Sequence, residues 1–335
     1  MDWSNLAFGY IKTNKIICSW YKDGEWSPLS AESDDNIKIS ALSGALHYGI
    51  EAFEGLKAFR GADGYVRLFR PDENAKRLGR SADFLGIASP SVEMFVEACK
   101  RAVIENVDFL PPYESRASMY LRPFLIGVEP QIDLVSPKEV LFAVAAIPVG
   151  AFSGKNLTPA RMLLARDHDR AAPMGTGSYK IGGNYAASML AGTKAKKEGF
   201  ASILYLDSGE RKYIDEFSSS NFFGIKGNSY VTPDSASVLP SITNKSLMQL
   251  AEDFGMMVEK RKVPVEELSD FDEVGACGTA VVITPVWEIV DKAWGISYKT
   301  GDREKSGPVS ERLYRRLTGI QYGEESDDHN WCMKL

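Results

Sequence analysis

Apolar positions recur at helical spacing in a few stretches of the chain, and in strand-like runs through most of the remainder. Residues 71–85 carry Leu78, Ala82 and Leu85 on one helical face, with Pro71 and Asp72 suited to a first turn. The pattern repeats over 92–107, and 244–254 sets Leu247, Leu250, Ala251 and Phe254 on one face, with Ser241 or Thr243 as cap and Gly255 as stop. A further helix is predicted from Tyr185 to about Lys197. Residues 8–12 and 15–20 read as strands joined by a tight turn at Thr13-Asn14, followed by turns at Asp23-Gly24 and around Ala62-Asp63-Gly64. Residues 118–126 and 139–149 read as buried strands, and shorter strands are expected at 160–165, 203–206, 222–226 and 230–232.

Turn formers Gly150, Ser153, Gly154, Asn156 and Pro159 interrupt both periodicities and mark a linker. The expected division is a small N-terminal α/β domain over 1–147, an interdomain loop over 148–159, and a larger domain over 160–335. The polar, acidic run 324–329 reads as a solvated tail.

Composition narrows the chemistry. With 335 residues, 44% hydrophobic and 25% charged, the chain fits an ordinary globular protein. Its longest apolar runs, such as 140–149 and 281–286, fall short of the roughly 20 residues that a membrane span needs. The first residues lack the basic region and apolar run of a secretory signal, so a cytoplasmic address is expected. Cys18, Cys99, Cys277 and Cys332 form no CxxC pair, and His47, His168 and His329 show no ligand spacing, so no metal site is expected. A formal charge of −6 supplies no basic field for nucleic acid. These exclusions leave small-molecule chemistry as the leading expectation.

The most unusual stretch runs from Gly175 to Tyr185, where Lys180 sits among Gly175, Gly177, Gly182 and Gly183 just before the helix at Tyr185. Glycines let a backbone approach a ligand closely. Taken alone, the stretch suits either a phosphate-cradling loop, although the order of a P-loop is missing, or a loop whose lysine is simply solvated.

The segment Lys180-Ile181-Gly182-Gly183-Asn184-Tyr185 resembles the cofactor-lysine motif of the fold-type IV aminotransferases, in particular the branched-chain type. Further matching blocks follow in the same order along the chain: His47-Tyr48 through Phe53-Glu54-Gly55-Leu56-Lys57-Ala58-Phe59, Arg67 to Pro71, and Tyr120-Leu121-Arg122-Pro123. Then come Asp215-Glu216 to Asn221, Leu239 to Thr243, and Gly278-Thr279-Ala280 with Pro285.

The resemblance implies a two-domain mixed α/β (α+β) fold, with a small α/β domain and a larger pseudo-barrel domain. It implies pyridoxal 5'-phosphate as cofactor and Lys180 as the catalytic lysine, whose amine can condense with the cofactor aldehyde and then carry a proton. Tyr185 then meets the cofactor's phenolic oxygen and Glu216 its pyridine nitrogen. Arg70, the Ile242 and Thr243 amides and the Thr279 hydroxyl hold its phosphate. Ser219 and the Ala280 backbone face the substrate α-carboxylate. Tyr48, Phe53, Tyr120 and Phe152 wall an apolar pocket, and Arg122 takes the side-chain carboxylate of glutamate.

The implied reaction moves the amino group of L-leucine, L-isoleucine or L-valine to 2-oxoglutarate in two half-reactions, in a homodimer whose active site lies between the domains. Two departures stand out. Val281 and Thr284 occupy the positions of the mammalian enzymes' CxxC pair, so thiol switching of that kind is not expected, and Phe152 replaces a tyrosine at the pocket rim. A D-amino-acid aminotransferase or aminodeoxychorismate lyase shares the fold, but the 47–59 and 67–71 blocks favour the branched-chain type. A silent binding protein is disfavoured because Lys180 and Glu216 are both present.

Overall fold

The computed structural model describes all residues except 4, 5, 151–156 and 173. It divides into two compact units: Met1–Phe152 with Tyr179–Gly182 and Gly319–Leu335, and Ser153–Ser178 with Gly183–Thr318. Two segments from beyond the expected linker, one carrying Lys180 and the other the last seventeen residues, group with the first unit.

The first unit is built on a nine-stranded sheet whose main path runs Cys332–Lys334, Val66–Phe69, Leu56–Arg60, Ser118–Gly127, Val140–Val149, Ile16–Lys22 and Glu25–Trp26. Every pairing in it is antiparallel. Antiparallel sheets commonly wet one face, but here both faces are covered. Val140, Phe142, Val144 and Ala146 point into a large core with Leu78, Phe95 and Ala102 from the helices Pro71–Leu85 and Val92–Glu105. Leu141 and Ala143 point to the opposite side, against Ile16, Cys18 and Val128. This double burial explains why 139–149 reads as an unbroken apolar run.

Several turns follow their expected chemistry. Asp23 and Gly24, with φ of 53° and 91°, form the two-residue hairpin connection that requires positive φ at both positions. Gly64, at φ 82°, turns the next hairpin. The strand expected at 8–12 does not form. The buried Asn106 side chain accepts from Lys15 N–H and donates to Lys15 C=O, both at 2.9 Å, occupying the ladder groups that a hairpin partner would use. The run 324–329 is also not a free tail. Glu324 pairs with Arg116 at 2.6 Å, and Asp327 accepts the N–H groups of Trp331 and Cys332, leading the chain into its final strand.

The second unit is built on a sheet that closes on itself. Ala160–Leu164, Ser202–Leu206, Ile214–Phe217, Ser220–Lys226, Glu273–Gly278 and Val282–Asp291 pair in a ring back to the first, filled by Met162, Leu204, Phe217, Phe222, Val274 and Ile289. Such closure removes the sheet edges within the ring. The half-barrel sheet of the first unit and this closed barrel are the mixed α/β architecture that the sequence led us to expect. The helix expected over 185–197 is interrupted, forming Gly182–Ala186 and Met189–Lys197. At the break the Ser188 hydroxyl donates to the Tyr185 carbonyl at 3.1 Å, a local bond that competes with the helical ladder. No helix among the described residues is long and apolar enough to cross a membrane, and no cluster of three or more potential metal ligands occurs among them.

Candidate functional site

The residues expected at the site fall into two groups, one in each unit. In the first unit Lys180 is an added rung on a short strand. Its carbonyl accepts from Phe53 N–H at 3.0 Å, Ile181 bridges Ala52, and its own N–H donates to the Ser81 hydroxyl at 3.0 Å. The amine lies 4.6 Å from the centroid of the Phe53 ring. Burial lowers the amine's pKa to about 8, Arg77's positive charge adding to the shift and the nearby Glu54 carboxylate opposing it. Near neutral pH an appreciable share of such an amine is unprotonated, which a nucleophile requires.

Phe53 and Tyr120 carry Arg122 between them. Its guanidinium sits 4.8 Å over Phe53 and 5.3 Å over Tyr120, and Nη2 donates to the Tyr120 hydroxyl at 3.2 Å. Arg122 Nε is buried with no hydrogen-bond partner in the structure, so this arginine retains donor capacity for an anion. Tyr120 reaches this position across Gly55, where an added Cβ would lie 2.1 Å from its hydroxyl. Phe8 packs edge-on against Tyr120 at 5.1 Å.

Arg70 ends the strand Val66–Phe69 and caps the helix Pro71–Leu85 in a left-handed conformation, φ 49° and ψ 47°. The conformation is held by an N–H bond to the Trp331 carbonyl at 2.8 Å, and the guanidinium lies 5.1 Å over the Trp331 ring. Tyr48 is exposed at the end of its helix, its hydroxyl donating to the Ile132 carbonyl. Phe152 lies outside the described residues.

In the second unit Glu216 is buried on the Ile214–Phe217 strand, opposite Asn221 in register. Its carboxylate accepts from Asn221 Nδ2 at 2.9 Å and Leu239 N–H at 3.2 Å, and pairs with Arg170 at 3.0 Å. This fixes an anionic group in a buried position. Beside it the buried Asp215 has its pKa raised by desolvation, opposed by a bond from the Ser237 hydroxyl at 2.7 Å. Ser219 is exposed in the hairpin turn that follows.

Ile242 and Thr243 open the helix Ile242–Asp253, whose cap Ser241 accepts from Asn244 N–H at 3.1 Å. The N–H groups of a first helical turn have no partner within the helix and attract anions. Thr279 and Ala280 form the half-buried turn between Glu273–Gly278 and Val282–Asp291, which Val282 re-enters at φ 62°. Tyr185, half-buried, lies in the short helix Gly182–Ala186.

Ser81, Arg77 and Asn74 around Lys180, and Arg170 around Glu216, are supporting residues that carry no signal in the sequence. Their partners lie far away in the chain, and each reads locally as an ordinary helix or loop residue.

Residues 51–289 match the amino-transferase class IV family. Over 342 aligned residues the chain is 45% identical to the branched-chain-amino-acid aminotransferase of Haemophilus influenzae, covering 100% of this chain and 99% of that protein. Among solved structures, the branched-chain amino acid aminotransferase of Escherichia coli superposes with a TM-score of 0.78 at 30% identity, covering 96% of this chain and 99% of that one. A T.th. branched-chain amino acid aminotransferase complexed with N-(5'-phosphopyridoxyl)-L-glutamate gives 0.77 at 29%, covering 97% and 99%. The chain belongs to the class IV aminotransferase family. Within that family, its match extends over nearly the whole length of the Haemophilus branched-chain-amino-acid aminotransferase.

Proposed function

We propose that this chain is a branched-chain-amino-acid aminotransferase, moving the amino group of L-leucine, L-isoleucine or L-valine to 2-oxoglutarate with pyridoxal 5'-phosphate as cofactor. The observation that carries the reading is the Lys180 amine, its main chain held at both polar groups, set against Phe53 and lowered to about 8.

The residues present suit that cofactor. A buried amine, a buried carboxylate fixed by three donors and a helix N-terminus are the donor set that an aldehyde, a pyridine nitrogen and a phosphate call for. Pyridoxal phosphate, when bound, supplies an aldehyde for amine exchange and a ring that draws electron density from the substrate's α-carbon. Lys180 Nζ is the group we assign to the aldehyde and to carrying the α-carbon proton. Glu216 would keep the pyridine nitrogen protonated, and Tyr185 would donate to the phenolic oxygen. Arg70, the Ile242 and Thr243 amides and the Thr279 hydroxyl would hold the phosphate.

On the substrate side, the Ser219 hydroxyl and the Ala280 amide would bind the α-carboxylate. Phe53, Tyr120, Tyr48 and Phe152 would offer apolar surface to a branched side chain. Arg122, with its uncommitted Nε, would receive the second carboxylate of glutamate or 2-oxoglutarate. The reading also includes a cytoplasmic homodimer. The 45% identity to the Haemophilus enzyme supports the activity and the phosphopyridoxyl-glutamate complex of the T.th. enzyme supports the cofactor and substrate, while the location and the dimer follow from the family resemblance.

The test is an absorbance spectrum of the purified protein before and after L-leucine, alongside Lys180→Ala. The cofactor band should shift with L-leucine and return with 2-oxoglutarate in the wild type, and the variant should not turn over. Conversion of D-amino acids only would replace the reading with the D-amino-acid type. A protein that binds no cofactor would overturn it.

A further inference from the structure

The helix Pro71–Leu85 buries Leu78 and Ala82 in the core, but another of its faces carries Asn74, Arg77, Ser81 and Phe84 at intervals that keep them aligned. Each of these side chains holds Lys180 or its immediate surroundings. Asn74 Nδ2 donates to Glu54 at 2.7 Å, and Arg77 binds both Glu54 oxygens, through Nε at 2.7 Å and Nη2 at 2.8 Å. Glu54 directly follows Phe53, whose N–H binds the Lys180 carbonyl. Phe84 stacks on Tyr179, the residue before Lys180, at 4.0 Å and 21°. Ser81 makes the direct contact, accepting the Lys180 N–H at 3.0 Å.

The proton count at Ser81 is unambiguous. A hydroxyl has one proton, and Ser81 donates it to the Arg77 carbonyl at 3.1 Å, leaving its lone pairs for Lys180. A mid-helix serine usually makes only the backward bond to its own helix. Here the same fully buried oxygen joins the helix to a main-chain N–H ninety-nine residues away.

Resting on the assignment of Lys180 as the cofactor lysine, we propose that Ser81 is a positioning residue for it. Its hydroxyl fixes the Lys180 main chain, and with it the point from which the reactive amine swings. Small displacements at a reacting centre are costly in rate, so loss of this anchor should lower kcat more than it raises KM.

The experiment compares cofactor-loaded wild type with Ser81→Ala, Ser81→Thr and Ser81→Cys. Borohydride reduction followed by peptide mass mapping comes first. A phosphopyridoxyl mass on Lys180 is expected, and label on a different lysine overturns the underlying assignment and this proposal together. With the label on Lys180, Ser81→Ala should lose kcat by roughly ten- to a hundredfold with KM for L-leucine within about twofold, and shift the pH midpoint of the cofactor absorption band. Ser81→Thr, which keeps the hydroxyl, should recover most of kcat and the wild-type midpoint. A Ser81→Ala protein that melts earlier but keeps wild-type kcat and midpoint has lost only packing, and overturns the proposal. If Ser81→Ala does not fold, Ser81→Cys, close in size but a poor hydrogen-bond acceptor, takes its place. Unchanged kcat and midpoint in that variant overturn the proposal as well.

Discussion

Glu54 and Arg77 form a two-point ion pair with hardly any access to water: the Glu54 side chain is 0% exposed and that of Arg77 8%. Asn74 and the Gly55 N–H complete the carboxylate's hydrogen bonding at 2.7 and 3.1 Å. A buried pair contributes modestly as a pair, but loss of one partner strands the other charge. Arg77→Met should therefore destabilise the protein by about 3 to 5 kcal/mol in urea unfolding. A loss below about 1 kcal/mol would show that Glu54 finds water or another partner once Arg77 is gone.

Lys57, 8% exposed on the Leu56–Arg60 strand, has its amine lowered from 10.5 to about 8 by burial. Between those values the unfolded chain holds the proton and the folded chain does not, so stability rises with pH across the window. The penalty is fully present below pH 8, where both states are charged, and has faded above 10.5. Unfolding of cofactor-free protein at several pH values should show the wild type gaining roughly 3 kcal/mol over Lys57→Met across this range. Parallel pH profiles for the two proteins would contradict the assignment.

Gly55 bears on the substrate side through its missing side chain. An added Cβ meets the Tyr120 hydroxyl at 2.1 Å, so Gly55→Ala must move the ring that, with Phe53, flanks Arg122. The expected outcome is a rise in KM for 2-oxoglutarate of about tenfold, with a smaller effect for L-leucine. Equal effects on both substrates would detach Arg122 from recognition of the second carboxylate.

Glu216→Gln should retain the shape of its site while removing the charge opposite Arg170. We expect kcat to fall on the order of a hundredfold, in line with the loss of a preorganised electrostatic contact. Stability should fall as well, because Arg170 remains buried without its counter-ion. Full activity in this variant would remove Glu216 from the cofactor.

The elements that could be read from the sequence are those in which one local signal dominates. The helix Pro71–Leu85 has its apolar stripe and its proline at the first turn, and the hairpin at Asp23-Gly24 has both residues suited to positive φ. The 8–12 strand failed because Asn106, far along the chain, satisfies Lys15 instead. The helix from Tyr185 broke because Ser188 turned its hydroxyl back on the main chain. Lys180 and Glu216 were legible through the blocks around them, whereas Ser81 and Arg170 were not. A serine within a helix and an arginine within a charged run carry no local mark of the distant group that they hold.

Among the described residues, the strand Val66–Phe69, which leads directly into Arg70, has on its outer side only the pairing with Cys332–Lys334. On a ribosome adding about 5 to 20 residues per second, that edge stays open for roughly ten seconds to a minute before its partner emerges. An unpaired strand edge is a template for pairing with other chains. The first unit is therefore most prone to aggregate during its own synthesis. Slow or stalled translation of the last residues should show as insoluble nascent chains well before it shows as lost activity.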